Sequence, residues 1–218
     1  MSLRHRILAA AVGVWVAAGV LGNAASAQAN IFIHEVLADP APDVGDANGD
    51  GSVSSSADEF VELYNDSDEA VNLSGWVFAD ALKTRHIFAD GAWIDPSGLM
   101  VVFGGNPVCN GFLCQAASSG TLSLNNGGDT LRLFDSSDML IDEWIYGSEG
   151  GKDESLVRIG DQVFLHTDVE PGVLFSPGRL TGLAQASAGV VPEPLTVLSF
   201  FSGISGLVVL RRFKTDKI

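Results

Sequence analysis

Short hydrophobic segments separated by turn-forming residues occupy the middle of this 218-residue chain. Segments rich in Val, Ile, Leu, Phe and Trp alternate with clusters of Asp, Asn, Ser, Pro and Gly, a pattern typical of strands and turns. No segment between the two chain ends keeps a helical apolar period for more than two turns. The predicted strands are 31–37, 59–64, 75–78, 86–88, 99–103, 121–124, 130–134, 140–146 and 155–159. This pattern predicts an all-β fold in which two sheets pack as a β-sandwich.

The first 29 residues have the pattern of a secretory signal peptide. Arg4 and Arg6 precede an apolar stretch over residues 7–21, and small residues follow it. Cleavage by signal peptidase after Ala29 or Ala27 would leave an exported mature chain. The alternative is an N-terminal helix that is not cleaved.

The C-terminal end carries a second apolar segment with polar boundaries. It consists of a proline motif, an uncharged apolar run and a basic cluster, namely Pro192, Glu193 and Pro194, residues 195–210, and Arg211 and Arg212. At ~1.5 Å rise per residue the run spans ~24 Å as a helix, short of a hydrocarbon core of ~30 Å. The pattern predicts a transmembrane helix whose basic end stays on the cytoplasmic side.

Taken together, residues 192–214 resemble the PEP-CTERM sorting signal of Gram-negative bacteria. The resemblance implies processing near the Pro-Glu-Pro motif by an exosortase-type sorting protease. It also implies a membrane-anchored intermediate, followed by release to the cell envelope or the extracellular space. The alternative is an ordinary C-terminal membrane anchor. The expected organisation is a signal peptide over 1–29, one domain over 30–184, a linker over 185–191 and the sorting signal over 192–214.

The charge of the central domain is strongly negative. The chain has 12 Lys and Arg and 27 Asp and Glu, of which six basic but only two acidic residues lie in the terminal segments. The domain therefore holds six basic and 25 acidic residues, a formal charge of −19. Nucleic acid is excluded as a partner because phosphate binding requires a basic surface. The charge fits divalent cations, or simply an acidic surface that keeps an exported protein soluble.

An acidic loop over residues 43–58 carries oxygen ligands at the spacing of an EF-hand-type calcium loop. The predicted Ca²⁺ ligands are Asp46, Asn48, Asp50, Ser52 and Asp58. The pattern departs from a full EF-hand because Ala57 stands where a bidentate Glu would close the site, and prolines before the loop prevent a preceding helix. The alternative is an acidic Gly- and Ser-rich surface loop that binds no specific ion.

Five ordered blocks of the domain resemble the lamin tail domain family, and they cover residues 33–40, 58–65, 71–76, 124–133 and 141–147. The resemblance implies an immunoglobulin-like sandwich in which Trp76 fills the core. The acidic loop is an insertion relative to that family. In bacteria the family implies a secreted interaction module that is not itself catalytic, with extracellular polysaccharide or matrix proteins as candidate partners.

The two cysteines, Cys109 and Cys114, are five residues apart with an Asn-Gly pair between them. In an oxidising envelope this spacing predicts a disulfide across a loop. A two-thiol metal site is the alternative. By the chain-entropy relation so small a loop adds roughly 2–2.5 kcal/mol, so the bond would stabilise the loop rather than the whole fold.

Candidate catalytic residues form no motif. His34, His86 and His166 are scattered among apolar segments, and no nucleophile elbow, metalloprotease motif or phosphate-binding loop is present. We therefore expect a non-enzymatic adhesion or interaction module. The alternative is a secreted hydrolase or carbohydrate-binding module, which an exposed Trp beside carboxylates in a cleft would favour.

Overall fold

The computed structural model describes residues 31–182, which form twelve strands, one 3-10 turn and one short helix. The strands are β1 (Ile31–Leu37), β2 (Phe60–Asn65), β3 (Val71–Asn72), β4 (Val77–Ala79), β5 (Thr84–Ile87), β6 (Trp93–Ile94), β7 (Leu99–Phe103), β8 (Leu113–Ala116), β9 (Asp129–Phe134), β10 (Leu140–Tyr146), β11 (Leu156–Ile159) and β12 (Gln162–Leu165). The 3-10 turn spans Ser148–Gly150, and helix α1 spans His166–Val169.

The strands form two main sheets. One has six strands in the order β12-β11-β1-β2-β7-β8, and the other has four in the order β10-β9-β4-β5. A small sheet pairs β3 with β6. All pairings are antiparallel except that of β7 with β8, which is parallel. This mostly β architecture is consistent with an immunoglobulin-like sandwich.

The main hydrophobic core draws on both sheets. Alternate residues of β2, among them Val61 and Leu63, pack with Phe78 of β4 and with Leu131 and Leu133 of β9. Trp76 and Trp144 are also buried in this core. The placement of Trp76 agrees with what the lamin tail resemblance implies.

A second hydrophobic cluster lies on the opposite face of the six-stranded sheet. Its buried members are Leu37, Ala47, Phe60, Val101 and Phe103, and Phe112, Cys114 and Phe175 pack against them. Because successive residues of a strand point to opposite faces, both faces of this sheet are covered. All six residues of β2 are buried as a result.

The pattern of the sequence predicts β1, β7 and β10 with their observed bounds. It is wrong for residues 121–124, which are irregular although Leu122 and Leu124 are buried. It also misses β3, β6, β8 and β12. Within 31–182 no helix has the length and apolarity needed to span a membrane. The predicted signal peptide with Ala29, the linker, the segment 195–210 and the sorting motif lie outside the described residues.

Candidate functional site

A polar cluster lies buried between β1 and the C-terminal segment, which we define as residues 154–182. It consists of five side chains, each more than nine-tenths buried, namely Glu35, Ser155, His166, Ser176 and Thr181. Glu35 belongs to the apolar strand β1, whereas the other four follow β10 in the chain. The cluster therefore joins the first strand to the last part of the described fold.

The carboxylate of Glu35 accepts three hydrogen bonds. Oε1 accepts from Ser155 Oγ at 2.6 Å and from the Ser176 N–H at 2.8 Å. Oε2 accepts from Ser176 Oγ at 2.8 Å. Burial raises the pKa of Glu35, and the Ser155 hydroxyl, the charge of His166 and the bonds from Ser176 act against that rise. The buried acid is thus supplied with donors, as burial of a polar group requires.

His166 is the basic member of the polar cluster. Its Nδ1 lies 2.9 Å from the carbonyl oxygen of Val173 and must carry a proton, since a carbonyl only accepts. Its Nε2 lies 3.0 Å from Ser176 Oγ and 3.9 Å from Glu35 Oε1. The imidazole therefore links Val173 to Ser176 within the C-terminal segment, and the Ser176 hydroxyl in turn donates to the buried carboxylate.

Glu62 is a second buried acid, directly opposite Glu35 in the β1–β2 pair. Its Oε2 accepts from the Gly178 N–H at 2.6 Å, while Oε1 has no hydrogen-bond partner among residues 31–182. Burial, and after it the charge of Glu35, raises the pKa of Glu62 well above its usual range. Like charges on two facing acids disfavour the ionisation of both, so the neutral form of Glu62 is favoured above the usual pH range of a carboxyl group.

His34 lies at the register shift of β1 and is fully buried. The Thr181 N–H donates to its Nε2 at 3.4 Å. Burial lowers the pKa of His34 to about 4, so the imidazole is neutral at physiological pH. His34 thus accepts a backbone bond from the C-terminal segment.

Ser176, His166 and Glu35 have the composition of a hydrolase triad, but their arrangement does not allow that chemistry. A nucleophile must reach its substrate, and the three residues are 6%, 0% and 0% exposed. The polar cluster instead holds the C-terminal segment against strand β1. Sequence reasoning missed this role of Glu35, although an acid within an otherwise apolar strand is the signal that points to it.

The predicted calcium ligands lie together in one hydrogen-bonded loop. Asp46 Oδ2 accepts from the Gly51 N–H at 3.0 Å, and Asn48 Oδ1 accepts from the Asp50 N–H at 2.9 Å. Asp50 Oδ1 accepts from the Ser52 N–H at 2.9 Å. Three side-chain oxygens at positions 1, 3 and 5 are therefore turned back onto the loop.

Asp58 closes the loop from its far end. Fully buried, it accepts from the Asn48 N–H at 3.0 Å and from the Ser54 N–H at 2.6 Å. The Asn48 side chain donates to the Gly105 carbonyl at 2.8 Å and so ties the loop to the residues after β7. In the described part of the chain, no three His, Cys, Asp or Glu side chains are grouped so as to hold a metal. Any calcium site here would rely on amide and backbone oxygens as well.

Cys109 and Cys114 form a disulfide with a Cα–Cα distance of 5.7 Å, as their spacing predicts. Cys114 lies in β8 and packs against the second hydrophobic cluster together with Phe112. The bond closes the loop that leads into this parallel edge strand.

Among the tryptophans of the described fold, Trp93 differs because it is 47% exposed. It lines an open groove of about 360 Å³ with Asp95, Leu113 and Gln115. The Gln115 side chain lies 3.0 Å from Nε2 of His86, which fixes its orientation. This groove combines an aromatic face with a carboxylate and an amide.

The fold and its closed polar cluster define an immunoglobulin-like β-sandwich module. The family model of the lamin tail domain matches residues 24–148. This span is more than half of the chain, and the protein belongs to the lamin tail domain family. No curated protein matches the chain. The C-terminal segment, with four members of the polar cluster, follows the matched span.

Proposed function

We propose that this chain is an exported, non-enzymatic lamin-tail-domain protein that acts as an interaction or adhesion module at the cell envelope or in the extracellular matrix. In this proposal, signal peptidase removes residues 1–29. An exosortase-type protease then processes the tail near Pro192–Pro194 after the segment 195–210 has held the chain at the membrane. Extracellular polysaccharide or matrix proteins are the partners of the sandwich, and calcium stabilises its acidic loop.

The observation that carries the non-enzymatic part is the burial of the polar cluster. Within residues 31–182 the Ser176–His166–Glu35 constellation is buried between β1 and the C-terminal segment, where a substrate cannot enter. Its hydrogen bonds connect the C-terminal segment to strand β1. The family match supports a module of interaction, and the formal charge of −19 supports a partner other than nucleic acid.

The position of the mature C-terminus tests the proposal that the protein is exported and processed. Mass spectrometry of native protein should give a C-terminus near residues 192–194 outside the cell, and deletion of the sorting protease should make an intact membrane-bound form accumulate. Pro192→Ala with Pro194→Ala should impair processing, because proline favours an extended backbone, the form in which a protease binds its substrate. Pro171→Ala, at an exposed position of the domain, is the matched control. A C-terminus at Ile218 in cells that contain the protease would make the tail an ordinary anchor.

Calcium binding is tested on the mature protein. Extracellular calcium modules bind at about 10⁻⁴–10⁻³ M, and a ligand at ten times its dissociation constant adds about 1.4 kcal/mol of stability. Millimolar calcium should therefore raise the melting temperature, and Asp46→Ala with Asp50→Ala should abolish the rise. The matched control is Asp66→Ala with Asp68→Ala, which removes the same charge from another exposed loop. An equal rise with magnesium, or in the Asp46/Asp50 variant, would mean charge screening only.

The Trp93 groove favours one second candidate, a carbohydrate-binding module. Aromatic faces stack on the apolar face of a sugar, while Asp95 and Gln115 offer hydrogen bonds to its hydroxyl groups. Binding of a neutral oligosaccharide that is lost in Trp93→Ala would favour this candidate over adhesion to a protein partner.

A further inference from the structure

An open pocket of about 350 Å³ lies at one end of the sandwich and is separate from the polar cluster and the Trp93 groove. We call it the end pocket. Its lining includes Asp80, Leu82, Asn125, Asp129, Ile145 and Tyr146. It therefore combines two carboxylates and a phenol with two exposed aliphatic side chains, since Leu82 is 86% and Ile145 66% exposed.

Strand pairing builds the floor of the end pocket. Asp129 at the start of β9 is the direct partner of Tyr146 at the end of β10. The Asp129 carboxylate accepts from the N–H groups of Thr130 at 2.7 Å and Asn125 at 3.2 Å, which fixes its position. The turn before β9 requires Gly128, whose φ is 127° and where a Cβ would lie 2.9 Å from the Tyr146 carbonyl oxygen.

Two buried oxygens at this end of the sandwich have no donor. Tyr146 and Glu59 are each 4% exposed, and neither Tyr146 Oη nor Glu59 Oε2 has a hydrogen-bond partner in the described fold. Burial, and then the charges of Asp129, Glu59 and Asp80, raise the pKa of Tyr146. A buried polar atom without a partner is unfavourable, and a donor-rich group would satisfy it.

The resident cation of this region is already engaged. Arg85 is buried, and its Nε donates to Asp80 Oδ2 at 2.6 Å while its guanidinium also donates to the Ser123 carbonyl at 3.3 Å. Asp129 takes part in no ion pair with the basic residues of 31–182. The end pocket thus keeps negative charge that a second cation would compensate.

We propose that the end pocket receives the ammonium group of a lysine side chain from a partner protein. An ammonium offers three donors as a compact charge, which suits the cross-strand partners Asp129 and Tyr146 better than the planar fork of arginine. The apolar stem of the lysine lies along Leu82 and Ile145. This inference names one contact through which the proposed interaction module would bind its partner. It rests on the proposed function only for the existence of a protein partner.

The test is an NMR titration of the full-length protein in detergent micelles with the peptide N-acetyl-Gly-Lys-Gly-amide. Amide signals of residues 125–130 should shift saturably, and the norleucine peptide, which keeps the stem and lacks the charge, should give no shift. Asp129→Asn should weaken binding about tenfold or more, because a bond to a charged group is lost. Tyr146→Phe, which removes only the hydroxyl, should also weaken binding and gives a second variant if Asp129→Asn does not fold.

The matched control is Asp161→Asn, which removes one charge from the exposed turn between β11 and β12 and should bind like the unaltered protein. Equal binding of the norleucine peptide, binding of free cadaverine without the lysine peptide, or equal weakening in Asp161→Asn would each overturn the proposal. Neither tail processing nor matrix retention enters this titration. A negative result would therefore leave the proposed function standing, and an unprocessed tail would leave the titration result standing.

Discussion

Replacing Glu35 with alanine should lower the free energy of unfolding by about 3–5 kcal/mol, the usual effect of removing one partner from a buried charged pair. The substitution removes the carboxylate that accepts from the hydroxyls of Ser155 and Ser176 and that lies 3.9 Å from His166 Nε2. Domains are stable by only about 5–15 kcal/mol, so this loss is a large fraction of the whole. Urea unfolding of the mature protein at pH 7 measures it.

Glu143→Ala is the control for the loss of an acidic side chain. Glu143 pairs with Arg132 at 2.7 Å, but both side chains are 37% exposed. Exposed ion pairs contribute about 0–1 kcal/mol, so this variant should remain close to the unaltered protein. Ser176→Ala should lie between the two. If Glu35→Ala and Glu143→Ala were equally stable, the polar cluster would not hold the C-terminal segment in place.

Replacing Glu62 with glutamine should stabilise the domain at alkaline pH and flatten its dependence on pH. The pKa of folded Glu62 is raised well above its usual range by burial and by Glu35, and the charge of Arg179 only partly opposes this rise. The folded state therefore keeps a proton that the unfolded chain loses above about pH 5. The stabilisation is complete at low pH and is lost as the pH rises towards the folded pKa, by about 1.4 kcal/mol per pH unit.

Unfolding is measured between pH 7 and pH 8, above the range in which His34 contributes. His34 has its pKa lowered to about 4, and its opposing contribution is confined to pH values below its usual 6.5. Glu59, whose pKa burial raises to about 8, contributes a similar slope that Glu62→Gln leaves unchanged. The exposed Glu143→Gln is the matched control. Identical pH slopes in Glu62→Gln and Glu143→Gln would show that Glu62 is ionised in the folded protein.

Local patterns were sufficient for much of the strand assignment. β1, β7 and β10 have apolar and β-branched residues between clear turn signals, and the expected bounds agree with the observed ones. β8 and β12 were missed because each has only four residues, and neither has the alternation of apolar and polar residues that marks a half-buried strand. Residues 121–124 were wrongly predicted as a strand. Leu122 and Leu124 are buried by packing, but the segment pairs with no other strand of the described fold.

The candidate sites fall into two groups, those whose residues are close in sequence and those whose residues are not. The Cys109–Cys114 bond and the calcium-like spacing from Asp46 to Asp58 are visible in sequence because their members lie within a few residues of one another. The end pocket was not predicted, since it brings together Asp80, Asp129 and Tyr146 from separate strands and turns. No local spacing relates such residues.

The sequence by itself determined an all-β domain of the lamin tail family, its extreme acidity and the disulfide loop, because strand patterning, charge and short cysteine spacing are properties of neighbouring residues. Only the tertiary structure decided whether the acids in and beside β1 and β2 are buried. Glu35 meets Ser155 and Ser176 at separations of 120 and 141 residues. β2 is covered on both faces, and Glu62 within it and Glu59 just before it are both buried. Whether an acid is solvated or buried depends on what packs over it, and in this fold the C-terminal segment does so for Glu35 and Glu62.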